Sequence, residues 1–167
     1  MLVGAEVEIQ AWRPNFSSSG QRSPAWSRLL VDGRELCNAL EDVDWSPNPV
    51  QVELCDACGT PGCASGGYAD LSRLGEQVLW TPAVTDGEDD WARDQYAPAW
   101  VLVDGGAALF PPASWQRLRE RFGALPAAAT LVPTTRRMLA EAWRARRAAG
   151  WPARPWPRRW STPAAWC

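Results

Sequence analysis

The chain has 167 residues and a formal net charge of −2, and all 17 of its basic residues are arginine. Histidine is absent, which excludes Ser–His–Asp triads, Cys–His dyads and two-histidine metalloprotease helices. Without lysine there is no P-loop, and without a long apolar run there is no predicted membrane span. Because Glu6 and Glu8 replace a basic N-terminal region, we predict no signal peptide and a cytoplasmic protein.

The first part of the chain has the patterns of β-strands and tight turns. Apolar and acidic residues alternate in part over residues 2–12, which predicts a half-buried strand. Asp32-Gly33 lies between two apolar segments and predicts a β-hairpin, because a type I′ turn requires positive φ at both central residues. A further strand is predicted over residues 50–54.

Two more hairpins are predicted further along, with an acidic, proline-containing loop over residues 82–98 between them. The first turns near Leu74-Gly75, and the second covers 99–110 and turns at residues 104–106. The letters LVDG at 102–105 repeat those at 30–33, and we interpret them as two hairpins that use the same turn.

The last third has helical patterns. One helix is predicted over residues 112–122 with Gly123 as its C-terminal cap, and a longer one from Thr134 or Thr135 to just before Gly150. In the longer helix arginines occupy much of the surface, and its apolar side chains are those of Leu139 and Trp143, with Met138 and Ala142 beside them. Residues 151–167 contain four prolines and predict an extended tail.

These elements together predict an α+β fold. It consists of an antiparallel sheet of β-hairpins with a cysteine-rich knuckle at one edge and two C-terminal helices packed on the sheet. Residues 1–150 are predicted to form a single domain, followed by a Trp/Pro/Arg-rich tail over 151–167.

Four cysteines form the candidate metal site: Cys37, Cys55, Cys58 and Cys63. A C-x2-C turn places two sulfur ligands on one side of a zinc ion, and the glycine after Cys58 permits a tight turn. The spacing C-x2-C-x4-C resembles the opening of a zinc knuckle over nine residues. A knuckle would add a histidine and a further cysteine, and this chain has neither within range downstream, so Cys37 is the predicted fourth ligand. Asp56, Asp70 or water are weaker substitutes for it.

Four thiolates would close the coordination shell, so we expect a structural zinc ion and no catalytic one. An iron–sulfur cluster, buried free thiols and a disulfide are the alternatives.

The acidic loop is the candidate surface for a basic protein partner, and its predicted contact residues are Glu88, Asp89, Asp90, Trp91 and Asp94. A plain solvated loop and a carboxylate-based hydrolase are the alternatives. The chain is otherwise predicted to be a non-enzymatic cytoplasmic protein, of adaptor or immunity type, that binds another protein.

Charge is distributed unevenly, since residues 1–110 are acidic and residues 111–167 are basic. This asymmetry supports a second hypothesis, a nucleic-acid-binding module that uses the basic helix and tail. Its predicted contact residues are Arg144, Arg146, Arg147, Arg158 and Arg159. The alternative is that the basic helices and the tail pack on the acidic part of the same molecule.

Overall fold

A computed structural model describes residues 2–3, 7–12, 26–55, 62–63, 65–83 and 97–148. Within these ranges the strands are β1 (Leu2–Val3), β2 (Val7–Trp12), β3 (Trp26–Val31), β4 (Arg34–Cys37), β5 (Val50–Gln51), β6 (Tyr68–Leu74), β7 (Gln77–Pro82) and β8 (Ala108–Phe110). The helices are α1 (Trp100–Gly105), α2 (Pro112–Arg121) and α3 (Arg136–Ala148), with a 3-10 turn at Ala128–Thr130.

The described strands form two sheets. The larger sheet has the order β1-β8-β7-β6-β5, and its pairs are antiparallel except for β1 and β8. The smaller sheet has the order β2-β3-β4 and is antiparallel throughout. Together with the C-terminal helices this confirms the predicted α+β class, with the hairpins divided between two sheets.

The first two predicted hairpins are confirmed. Asp32 and Gly33 connect β3 to β4 with φ angles of 50° and 74°, so both central residues take the left-handed conformation that the turn requires. Strands β6 and β7 are joined by a second tight turn, in which Gly75 has a φ of 63°. In both turns the residue types that permit positive φ determine where the chain reverses.

The third predicted hairpin is wrong, because residues 100–105 form α1 and only 108–110 form a strand. A short continuous apolar segment fits a buried strand and a buried helix equally well. Here Val101, Leu102 and Val103 are all buried. The helix ends where the N–H of Gly106, at a φ of 86°, donates to the carbonyl of Leu102.

The main core lies against one face of the larger sheet and contains an aromatic cluster. Trp80 on β7 is fully buried, with ring centroids 5.3 Å from Phe110, 5.7 Å from Trp45 and 6.2 Å from Trp115 of α2. Tilted and edge-on pairs at such distances are favourable arrangements of aromatic rings. The cluster joins β7, β8, α2 and the segment before β5 into one core.

The opposite face of the same sheet carries a smaller apolar cluster of Leu79, Ala107 and Leu109. Helix α3 contacts β7 and α1. It follows Thr134, whose hydroxyl lies 2.9 Å from the buried Ser72 hydroxyl on β6. The larger sheet is therefore a central layer with structure on both faces.

The outer edge of β6 is closed by two segments, residues 48–51 and residues 132–134. Strand β5 pairs with its first residues, and the Asn48 side chain both accepts from the N–H of Leu71 and donates to its carbonyl. Further along, the N–H of Arg73 donates to the carbonyl of Val132, and the N–H of Thr134 donates to the carbonyl of Arg73. Most of this edge is thus protected from pairing with another chain.

The two C-terminal helices lie close to their predicted positions. Helix α3 is capped by Thr135, whose hydroxyl accepts a hydrogen bond from the N–H of Met138 at 3.2 Å. The predicted glycine cap of α2 is wrong. The cap residue is Phe122, which donates to Leu118, and Gly123 does not adopt a positive φ.

Candidate functional site

The predicted metal ligands lie in different environments. Cys37, the last residue of β4, is fully buried, Cys55 is also buried, and Cys63 is exposed. Cys58 falls outside the described residues. Within the described ranges, no three His, Cys, Asp or Glu side chains converge as metal ligands do, so the four-cysteine site stays a prediction.

Asn38 holds the segment of Cys37 against the segment of Cys55. Its side chain accepts from the N–H of Leu54 at 2.9 Å and donates to the Leu54 carbonyl at 2.8 Å. Its own N–H donates to the carbonyl of Val52 at 3.3 Å. The residues adjacent to Cys37 and Cys55 are therefore joined by a pair of buried hydrogen bonds.

Gln51 holds both ends of the glycine-rich segment around Cys63. Its side chain accepts from the N–H of Gly62 at 2.7 Å and donates to the carbonyl of Gly66 at 3.0 Å. The next residue, Gly67, has a φ of 81°, and a Cβ placed there would lie 2.6 Å from the Cβ of Glu53. Only glycine permits this close approach.

The thiol of Cys37 is strongly biased towards its neutral form. Burial raises its pKa to about 12, and the nearby carboxylates of Glu35, Glu41 and Glu53 act in the same direction. A hydrogen bond with the backbone of Ala39 opposes this shift. As a metal ligand Cys37 would have to be a thiolate, so the ion itself would have to supply the compensating positive charge.

The acidic residues predicted to contact a partner, from Glu88 to Asp94, lie outside the described part of the chain. Of the predicted nucleic-acid contacts, Arg144 and Arg147 are exposed on α3. The side chains of Arg146, Arg158 and Arg159 are not described.

Helix α3 divides its apolar residues between two faces. Ala142 is 4% exposed and Met138 is half-buried, so these residues lie on the packed side. Leu139 is 44% exposed and Trp143 is 59% exposed. Because residues four apart are neighbours on a helix, the exposed pair forms one apolar stripe on the outer face.

The outer face of α3, which we define as Arg136, Leu139, Ala140, Trp143 and Arg147, is apolar in the middle and basic at both ends. All five side chains are exposed. Beside this face Arg137 forms an ion pair of 2.6 Å with Glu141 in the same helix, and Arg144 adds a further exposed arginine. The sequence pattern predicted Leu139, Trp143 and the arginines of this helix but not the separation of its apolar residues into two faces.

Comparison of the chain with protein-family models, with curated proteins and with solved structures gave no match. In the described ranges, no helix has both the length and the apolar character needed to cross a membrane.

Proposed function

We propose that the chain is a cytoplasmic, non-enzymatic protein of adaptor or immunity type, which binds another protein through the outer face of α3. The observation that carries this proposal is the exposure of Trp143 and Leu139 on the face of α3 that borders the packed side, where Ala142 is buried. Large apolar side chains exposed together at helical spacing are typical of binding surfaces.

The chemistry of this face favours a particular kind of protein partner. Two apolar anchors four residues apart fit a hydrophobic groove, and tryptophan is among the residues that contribute most to interface energy. Arg136 and Arg147 lie at the ends of the stripe and would contact acidic residues at the rim of the groove. The expected partner surface is therefore an apolar groove with an acidic rim.

The test compares partner capture from host extract by the native chain and by variants. We expect Trp143→Ala to weaken binding of the captured partner by roughly 30-fold or more, and Leu139→Ala by a smaller factor. Leu74→Ala is the matched control, because Leu74 has a similar exposure of 41% and lies on β6. Equal affinity of all four chains for every captured partner would contradict the proposal.

Nucleic acid is the second candidate partner, because four exposed arginines of α3 lie on or beside the face that carries Trp143. Arginine with an exposed aromatic ring is a combination that binds single strands by charge and stacking. A gel-shift titration over increasing salt tests it, since phosphate contacts give a steep loss of affinity with salt. Loss of the shift in an Arg144→Ala/Arg147→Ala variant would support this candidate, and no shift at low salt would remove it.

We also propose that Cys37, Cys55, Cys58 and Cys63 hold a structural zinc ion. The double hydrogen bond between Asn38 and Leu54 supports this, because it joins the segments of Cys37 and Cys55. Elemental analysis of the purified chain is expected to give one zinc per molecule. Cys58→Ser should lower Tm markedly because metal binding contributes to folding free energy, whereas Cys167→Ser should leave Tm unchanged. A metal-free, stable protein would contradict the site.

A further inference from the structure

Among the described strands, β2 is one of the two edges of the smaller sheet, and β4 is the other. It pairs with β3 along all six of its residues, from Val7 opposite Val31 to Trp12 opposite Trp26. Within the described ranges β2 has no other strand neighbour and makes no backbone hydrogen bond outside that pairing. Among the described residues it therefore differs from the outer edge of β6, which residues 48–51 and 132–134 cover, and it presents backbone donors and acceptors to a further strand.

The side chains of β2 alternate between two different surfaces. Glu8 and Gln10 are exposed on one face, whereas Val7 and Ile9 are half-buried on the other and pack against the main core. These two residues face the core yet keep part of their surface exposed, as expected for the last strand of a sheet. An added strand would cover this apolar surface if it had the same alternation.

We propose that β2 pairs with β2 of a second copy of this chain, antiparallel and around a two-fold axis at Ile9. In this register Ile9 faces Ile9 of the second copy, and Val7 faces Ala11. Glu8 faces Gln10, and symmetry makes this contact twice. Apolar side chains thus meet apolar ones on the core face, and on the other face a carboxylate meets an amide donor.

Self-complementarity is the argument for a second copy as the occupant. The carboxylate and the amide can form a hydrogen bond, as they already do within the strand, where Gln10 Nε2 donates to Glu8 Oε1 at 2.9 Å. Shifting the axis by half a residue would place polar side chains against the apolar face. An axis at Glu8 would place two carboxylates opposite each other, which is unfavourable.

Sedimentation velocity of the full chain over a range of concentrations tests the pairing. We expect a monomer–dimer equilibrium. Gln10→Glu would place a carboxylate opposite Glu8 twice and raise the dimer Kd about tenfold. Gln10→Lys would place an opposite charge there twice and lower the dimer Kd by a similar factor.

Folding provides the control, because within one chain Gln10 lies opposite Arg28 on β3. Next to that arginine, Gln10→Glu should maintain or raise the stability of the monomer and Gln10→Lys should lower it slightly. The two variants thus change association and stability in opposite directions, so misfolding cannot produce the expected result. A chain that is monomeric at all concentrations, or a dimer whose Kd neither Gln10 variant changes, would overturn the proposal. A dimer that dissociates only in Trp143→Ala would overturn it too.

Discussion

The four-residue sequence Leu-Val-Asp-Gly occurs twice in this molecule, and its two copies have different conformations. At 30–33 they end strand β3 and form the turn to β4, with Asp32 and Gly33 in the left-handed region. At 102–105 they form the last part of helix α1, and the positive φ falls one residue later, at Gly106. A four-residue identity therefore does not determine local structure.

The neighbours of each copy explain the difference. The first copy is followed by Arg34, which begins β4 opposite Val31, so the chain reverses within two residues. The second copy is followed by Gly106, which can end a helix. It is also more deeply buried, since Leu102 is fully buried and Leu30 only half-buried. A segment that is buried on several sides is more stable as a helix, because a helix satisfies the hydrogen bonds of its backbone groups internally.

The largest expected effect on stability comes from replacing the leucine in each copy of the Leu-Val-Asp-Gly sequence. We expect Leu102→Ala to lower the free energy of unfolding by about 3 kcal/mol, because it leaves a cavity in the core. Changing the half-buried Leu30 to alanine should lower the free energy of unfolding by only about 1 kcal/mol. Urea denaturation of both variants checks the difference. Equal losses would mean that the two copies are buried alike.

The next largest effect on stability is expected from replacing the glycines that take positive φ. Gly33→Ala and Gly106→Ala should each cost about 1 to 2 kcal/mol, because alanine is strained in the left-handed region. Gly123→Ala is the control, since Gly123 has an ordinary φ and open space around it. This control should be neutral or slightly stabilising. Thermal unfolding of the three variants measures the contrast, and equal losses at all three positions would contradict it.

The smallest effect concerns the direct link between the two copies. Arg34, next to the first copy, forms an ion pair with Asp104 of the second. Both side chains are partly exposed, so the pair should contribute about 0.5 kcal/mol. A double-mutant cycle of Arg34→Ala and Asp104→Ala measures this coupling. It should decrease at high salt, and a coupling that salt does not change would contradict a partly solvated pair.

Local sequence was sufficient at several positions where backbone geometry restricts the residue type. Asp32-Gly33 predicted the first hairpin, Gly75 marked the second, and Thr135 was one of two predicted caps of α3. Buried amide side chains gave no such signal. Asn38 and Gln51 bond to backbone groups 11 to 16 residues away, and their partners appear only when the chain is folded.

By itself the sequence determined the α+β class, two tight turns and the approximate limits of two helices, because these follow from backbone preferences and hydrophobic periodicity. The sequence also contains a cluster of candidate cysteine ligands and a basic C-terminal third, and the roles of both remain proposals. Only the tertiary structure decided that residues 100–105 are helical, that the strands form two sheets, and that Trp143 faces outwards while Ala142 faces inwards. The physical reason is that burial depends on contacts between distant segments, which no local pattern specifies.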